Sequence, residues 1–304
     1  MKSNRLVLAA AVLLLGAGGC TRSGPSSSTT AAAPAAQAEN GERRFPLTGE
    51  IVRVDAEHKV LVVRHDAVEG LMPAMTMEFK AEAGDVALAK EGQKIRAELI
   101  APPGGDFRLE KIWPNDKVTA DTIAAGARKL REDTHNLGKE AYREIGEKVP
   151  TFALYDQDGR VVQSARFVGK QILLNFIFTR CPDQTKCPAA TLKMMAVQKL
   201  AAESGVKNLE LISVTLDPAF DSPGVLRGYA EARGIDTKNF SFLTGPDSAV
   251  KDLLTQFGVI AEFEGGLLKH TLATLLINEE GRIAQRVDGS MWEAGDFVSR
   301  MKKG

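Results

Sequence analysis

The stretch Gln171-Ile-Leu-Leu-Asn-Phe-Ile-Phe178, continuing into Thr179-Arg180-Cys181-Pro-Asp-Gln-Thr-Lys-Cys187-Pro188, decides the fold of the C-terminal half. A short, nearly continuous apolar run reads as a strand buried on both faces. A loop carrying two cysteines follows it, and Pro188 marks the first turn of a helix, where a missing N–H is harmless. Strand, cysteine loop and helix in that order present sulfur to solvent in the manner of a thioredoxin-like sheet. Working outward, the pattern predicts strands over 151–155, 172–178, 209–214, 274–278 and 283–287. Helices are predicted over 188–204, 222–233, 247–257 and 293–301. Alternating strands and helices that end in a hairpin turned by Asn278-Glu-Glu-Gly281 predict a layered α/β sheet.

The N-terminal half has a different grammar. Phe45 to Val54 and Lys59 to His65 are β-branched runs separated by a polar turn, and Met75-Thr-Met-Glu-Phe-Lys80 alternates strictly. With Lys94 to Ile100 and Phe107 to Trp113, that makes five short strands, which fit a small OB-like barrel. Between the halves lies a charged, Ala-rich segment in which Ile123, Leu130 and Leu137 recur every seven residues, predicting one or two linker helices with an exposed His135. The expected fold is therefore multidomain: a small all-β OB-like barrel at 44–117, a helical linker at 118–147, and an α/β thioredoxin-like domain at 148–304.

Length and charge set outer bounds. The chain has 304 residues and no formal net charge, so no global field recruits nucleic acid. Lys2 and Arg5 precede an apolar run from Leu6 to Leu15, then Gly16-Ala-Gly-Gly-Cys20. A charged region, a short apolar region and small residues make a signal peptide, 1–19, too short to span a bilayer. Small residues directly before Cys20 resemble a bacterial lipobox, which implies that Cys20 is lipidated and that the protein is a membrane-anchored lipoprotein facing the periplasm or another extracytoplasmic space. Residues 20–43, rich in Ser, Thr, Ala and Pro, read as a flexible tether. With one of the three cysteines on the anchor, an even pair remains in an oxidising compartment, where a structural disulfide is the ordinary expectation.

The pair supports more than that. Cys187 stands at a helix start, and the helix dipole is expected to lower its pKa toward the thiolate that binds metal or attacks disulfides. Five residues between the cysteines let both sulfurs splay around an ion. His270, just ahead of an apolar strand, offers a third donor. Upstream, His65, Met72, Met75 and Met77 form a second soft cluster. Thiolate, thioether and imidazole together point to monovalent copper. The competing readings are a plain disulfide with a core histidine in one half, and methionines as core filler in the other.

Residues from about 149 to 304 resemble the Sco/SenC family of copper chaperones for cytochrome oxidase assembly. The likeness is carried by Val149-Pro-Thr-Phe-Ala-Leu, Asn175-Phe-Ile-Phe-Thr-Arg-Cys181, Cys187-Pro188, Ser213-Val-Thr-Leu-Asp-Pro218, Asp221-Ser-Pro223 and Lys269-His-Thr271. It implies Cys181, Cys187 and His270 as ligands of copper(I), with copper(II) a second state of that site, and gives Asp217 a supporting role. The family's usual loop has three residues between its cysteines, against five here. Phe45 to Trp113 resembles the small CusF-like metallochaperones, through His65-Asp66 and Pro73-Ala-Met75-Thr-Met77-Glu-Phe79. That likeness implies copper(I) at His65, Met75 and Met77. Members of that group place a tryptophan where this chain has Met72, which offers a thioether instead.

Together the resemblances imply a copper chaperone that delivers copper(I) to the dinuclear centre in the copper-bearing subunit of cytochrome c oxidase, receives it from other copper donors, and binds no nucleic acid. Thiol–disulfide exchange on that centre's cysteines by the Cys181/Cys187 redox pair, and copper buffering or resistance, are the alternative readings. A peroxidase is the weakest of them, since only the strand–loop–helix placement favours it.

Overall fold

The computed structural model describes residues 41–138, 140–264 and 267–303. The predicted leader, Cys20 and most of the tether lie outside them. Five strands form the N-terminal half: β1 (Arg43–Asp55), β2 (Val60–His65), β3 (Met75–Lys80), β4 (Lys94–Ala101) and β5 (Arg108–Pro114). They close in the order β1-β2-β3-β5-β4, with β4 returning to β1. Alternation drives this, since every second side chain points inward. Leu47, Leu61, Val63, Phe79, Ile95 and Leu99 fill the interior. The long β1 serves both neighbours because a register irregularity between Ile51 and Arg53 bends it. A short helix, α1 (Ala83–Leu88), follows β3 and was not predicted.

The segment predicted as a linker forms α2 (Lys117–Leu137), opened by the Asp116 side chain accepting from Thr119 N–H at 2.8 Å. It is a single helix that ends at Gly138 with φ +97°, and among the described residues of the linker no second helix follows. Nor is it a free strut. Leu130 joins the core of the C-terminal half, while Ile123 packs with Trp113, Ala153 and Tyr155. His135 is exposed, as expected.

The C-terminal half is a thioredoxin-like layered fold. Its sheet runs β10-β9-β8-β13-β14, where β8 is Gln171–Ile177, β9 Leu209–Thr215, β10 Phe240–Leu243, β13 Ala273–Ile277 and β14 Ile283–Asp288. β8, β9 and β10 are parallel, whereas β13 runs antiparallel to both β8 and β14. Every residue of β8, β9 and β13 is buried, as a sheet covered on both faces requires. The helices are α3 (Cys187–Glu203), α4 (Pro223–Ala232), α5 (Asp247–Gln256) and α6 (Ala294–Val298). Two small hairpins complete it, β6 (Ala153–Tyr155) with β7 (Val161–Gln163), and β11 (Ala261–Glu264) with β12 (Leu267–His270). β7, β10 and the β11–β12 hairpin were not predicted.

The two halves are docked. A Cβ built on Gly84 of α1 would lie 2.1 Å from the Gly224 carbonyl oxygen of α4, and one on Gly224 would lie 2.0 Å from Asp85 Oδ1. Only glycine permits backbones to approach so closely. Trp113 of β5 meets Tyr155 of β6 edge-on at 5.6 Å, and Arg131 of α2 pairs with Asp252 of α5 at 3.0 Å.

Candidate metal centres

The first centre is built where β8 ends. The chain leaves the sheet through Phe178 and Thr179, places Cys181 in the loop, and returns Cys187 as the first residue of α3. Both cysteines are buried free thiols. His270 arrives from the far end of β12, a short strand of its own just ahead of the apolar β13. The donor atoms of Cys181, Cys187 and His270 all lie within 4.8 Å of one another. A three-coordinate ion with bonds of about 2.2 Å would hold its donors roughly 3.8 Å apart, so the cluster is close to the size such an ion needs.

The histidine is prepared for ligation. Its Nδ1 lies 3.2 Å from the Thr271 carbonyl oxygen, which can only accept, so Nδ1 carries the proton. The free lone pair is then on Nε2, 3.9 Å from Cys187 Sγ. Phe178 fixes the ring edge-on at 5.4 Å. Burial holds the imidazole below its ordinary pKa, which favours the neutral form that ligates.

One expectation is overturned. Cys187 does not have a lowered pKa; burial, with the neighbouring Cys181 and Asp221 adding to it, pushes the thiol up to about 12. A helix N-terminus offers a fraction of a charge, whereas removing a thiolate from water is the larger effect. Without a metal, Cys187 rests as a protonated thiol.

Asp217 is not one of the three clustered donors. It is buried to 1% exposure, and its Oδ2 accepts from Arg180 Nε at 2.8 Å while Oδ1 has no hydrogen-bond partner. Arg180 adjoins Cys181 and stacks over Phe220 at 4.5 Å, so the arginine links Asp217 to the cysteine loop. Asp217 and Leu268 also line a cleft of about 810 Å³ between α5 and the β11–β12 hairpin. Asp221, part of the Asp221-Ser-Pro223 motif, takes the more central place. It is fully buried and accepts from Thr179 N–H and Oγ1–H and from Thr215 Oγ1–H. No local signal joins residues 42 apart.

The second cluster lies on β2 and β3. His65 is 2% exposed; its Nδ1 lies 2.7 Å from the Asp66 carbonyl oxygen, and its Nε2 is buried without any partner. A buried lone pair left unpaired is costly, and a ligand position explains it. Phe79 holds this ring edge-on at 5.7 Å. The register sets Met75 opposite His65 and Met77 opposite Val63, and the bridge between Val68 and Met72 folds Met72 back toward the same end. Met75 is exposed, while Met72 and Met77 are half-buried against the barrel core. Gly49 lets β1 approach here, since a Cβ on it would lie 2.9 Å from His65 Cα.

Residues 140–303 match the SCO1/SenC family profile, and residues 44–114 match that of the copper binding periplasmic protein CusF. A SCO2-like protein of Rickettsia typhi is 30% identical over 163 residues, 51% of this chain and 76% of that protein. The SCO1 protein homolog of Bacillus subtilis is 28% identical over 156 residues, 50% of this chain and 79% of its own. Among solved structures, a SCO1/SenC family lipoprotein from Bacillus anthracis is 26% identical with a TM-score of 0.48, covering 52% of this chain and 96% of that one.

Proposed function

The chain belongs to the SCO1/SenC family and carries a CusF-like domain ahead of it, and we propose that it is a copper(I) metallochaperone serving cytochrome c oxidase assembly. In this reading Cys181, Cys187 and His270 hold the cargo ion for delivery to the oxidase's dinuclear copper centre. His65, Met75 and Met77, with Met72, hold it in an OB-like barrel. Residues 1–19 are a signal peptide, and Cys20 is lipidated, placing the folded part outside the cytoplasm on a tether. The domain division is 44–117, 118–147 and 148–304.

The observation that carries the proposal is the convergence of two thiols and an oriented imidazole within 4.8 Å. Their softness selects copper(I) over harder ions. The raised Cys187 pKa counts against a primary thiol-exchange role, because the attacking species is the thiolate. X-ray absorption on the copper(I)-loaded full chain tests the ligand sets. With Met75→Ile/Met77→Ile, the remaining ion should show two sulfurs and one nitrogen; a sulfur-free shell rejects the site. Gene deletion tests the role: lost oxidase activity restored by added copper supports delivery, and copper sensitivity with normal respiration points to buffering.

The two sites suggest a relay in which the barrel captures copper and the thiols retain it. If Met75→Ile/Met77→Ile leaves the loading rate of the thiol site from limiting copper unchanged, there is no relay.

A further inference from the structure

Helix α4 packs against α1 of the barrel half, and side chains on it and just before it hydrogen-bond to residues flanking the cysteine pair. Its Gly224 and Gly228 receive α1: a Cβ on Gly84 would sit 2.1 Å from Gly224 O and 3.0 Å from Gly228 N. Each of those glycines lies beside a residue that reaches the cysteine loop. Asp221, one turn before Gly224, accepts from Thr179 N–H at 3.2 Å, from the Thr179 hydroxyl, and from the Thr215 hydroxyl at 2.6 Å. Thr179 leads directly into Arg180-Cys181. Tyr229, next to Gly228, has its hydroxyl 2.9 Å from Thr191 Oγ1, which is 3.0 Å from the Cys187 carbonyl oxygen. That carbonyl only accepts, so Thr191 spends its one proton there and Tyr229 must donate to Thr191. Tyr229 has little freedom of its own, held edge-on by Phe242 at 5.8 Å and covered by the Arg233 guanidinium at 3.6 Å.

We propose that Asp221 and Tyr229 are positioning residues for Cys181 and Cys187, and that the barrel's seat on α4 fixes where both of them stand. One arm runs from Asp221 through Thr179 to Cys181, the other from Tyr229 through Thr191 to Cys187. Moving α1 off Gly224 and Gly228 therefore loosens both arms at their shared root. The inference rests on the reading that the cysteine pair is the working site, and its test uses the copper-free protein so that the two can fail separately.

The measurement is thiol reactivity of the reduced full chain, in a Cys20→Ser background, toward dithionitrobenzoate. A cysteine thiolate attacks the reagent's disulfide, forms a mixed disulfide and releases one aromatic thiolate, whose absorbance is read. Cys187 is fully buried, so its rate reports local opening. Tyr229→Phe keeps the ring and deletes one hydrogen bond, and should speed the reaction by roughly two- to tenfold. The series Gly84→Ala, Gly84→Val and Gly84→Leu should speed it progressively, from a site in the barrel. Leu61→Ala, which hollows the barrel core from β2 and leaves Gly84 on α4, should leave the rate unchanged. A flat rate across the Gly84 series, or an equal rise in Leu61→Ala, overturns the coupling. An unchanged rate in Tyr229→Phe overturns the role of its hydroxyl. Loss of copper stoichiometry with normal thiol kinetics counts against the chaperone reading alone.

Discussion

Asp85 is a carboxyl at the seam between the two halves, 4% exposed, with Glu82 and Glu110 as its charged neighbours. Burial, helped by those two negative charges, pushes its pKa from 3.8 up to about 7. The sign of the consequence follows from who holds the proton. Below about pH 4 both the folded and unfolded chains are protonated and the group contributes nothing. Between about pH 4 and 7 the folded protein keeps a proton that the unfolded chain releases, so raising the pH favours unfolding. Above about pH 7 both are ionised and the full penalty applies. One pH unit is worth about 1.4 kcal/mol, so the total approaches ~4 kcal/mol, of which about 3 falls between pH 5 and pH 8.

Asp85→Asn removes the titration while keeping the shape. Its amide brings a constant cost of its own, which cancels when the two proteins are compared at two pH values. Urea unfolding of both near pH 5 and near pH 8 should show the wild type losing about 3 kcal/mol relative to the variant as the pH rises. If the gap between the two proteins is the same at both pH values, within about 0.5 kcal/mol, the carboxyl is not desolvated and the seam is not closed as described.

The remaining predictions concern the two centres. His270→Ala should weaken copper(I) retention at the cysteine pair by at least about tenfold, measured by competition with a chromophoric chelator, while leaving disulfide exchange by the same cysteines largely intact. Copper affinity of the cysteine centre should rise with pH, by up to about tenfold per unit for each thiol that must lose its proton. The thioethers of the barrel centre have no proton to lose, so its affinity should rise less steeply with pH than that of the cysteine centre; a parallel rise at both centres would refute their assignment. Gly49→Ala should cost about 1–3 kcal/mol in urea unfolding, because its Cβ would meet the Arg64 carbonyl at 2.7 Å and must push β1 off β2 beside His65.

What was legible in the sequence depended on how local its cause was. β8 is an apolar run buried on both faces, and the barrel strands alternate, so both kinds declare themselves in a single window. β10 is four residues long and is fixed by pairing with β9, which no window contains. The β11–β12 hairpin did leave a signal in the sequence, since Gly265-Gly266 follows the alternating run Ala261-Glu-Phe-Glu264, and a Gly-Gly pair is a sequence mark of a hairpin. Reading it would have placed His270 on a strand. α2 shows the opposite failure: its seven-residue repeat was real, but the repeat cannot say what the stripe faces. Here Ile123 and Leu130 face the docked halves, so a segment with the composition of a spacer became part of the core.

The donors themselves were legible as residue types, and their preparation was not. Both histidines give Nδ1 to the carbonyl of the next residue, Asp66 in one case and Thr271 in the other, and both rest edge-on against a phenylalanine. That arrangement frees Nε2 in two unrelated folds, and it depends on backbone direction at a strand end rather than on any motif. The thiols went wrong for the related reason that a helix start is visible in sequence and burial is not. With Cys187 held near 12, the cysteine centre must exchange protons for metal, whereas the thioethers of the barrel centre need not. The two candidate centres thus differ most in how their sulfur donors respond to pH. Retention by the thiols should therefore strengthen as the pH rises, while the thioether contribution to capture by the barrel stays constant.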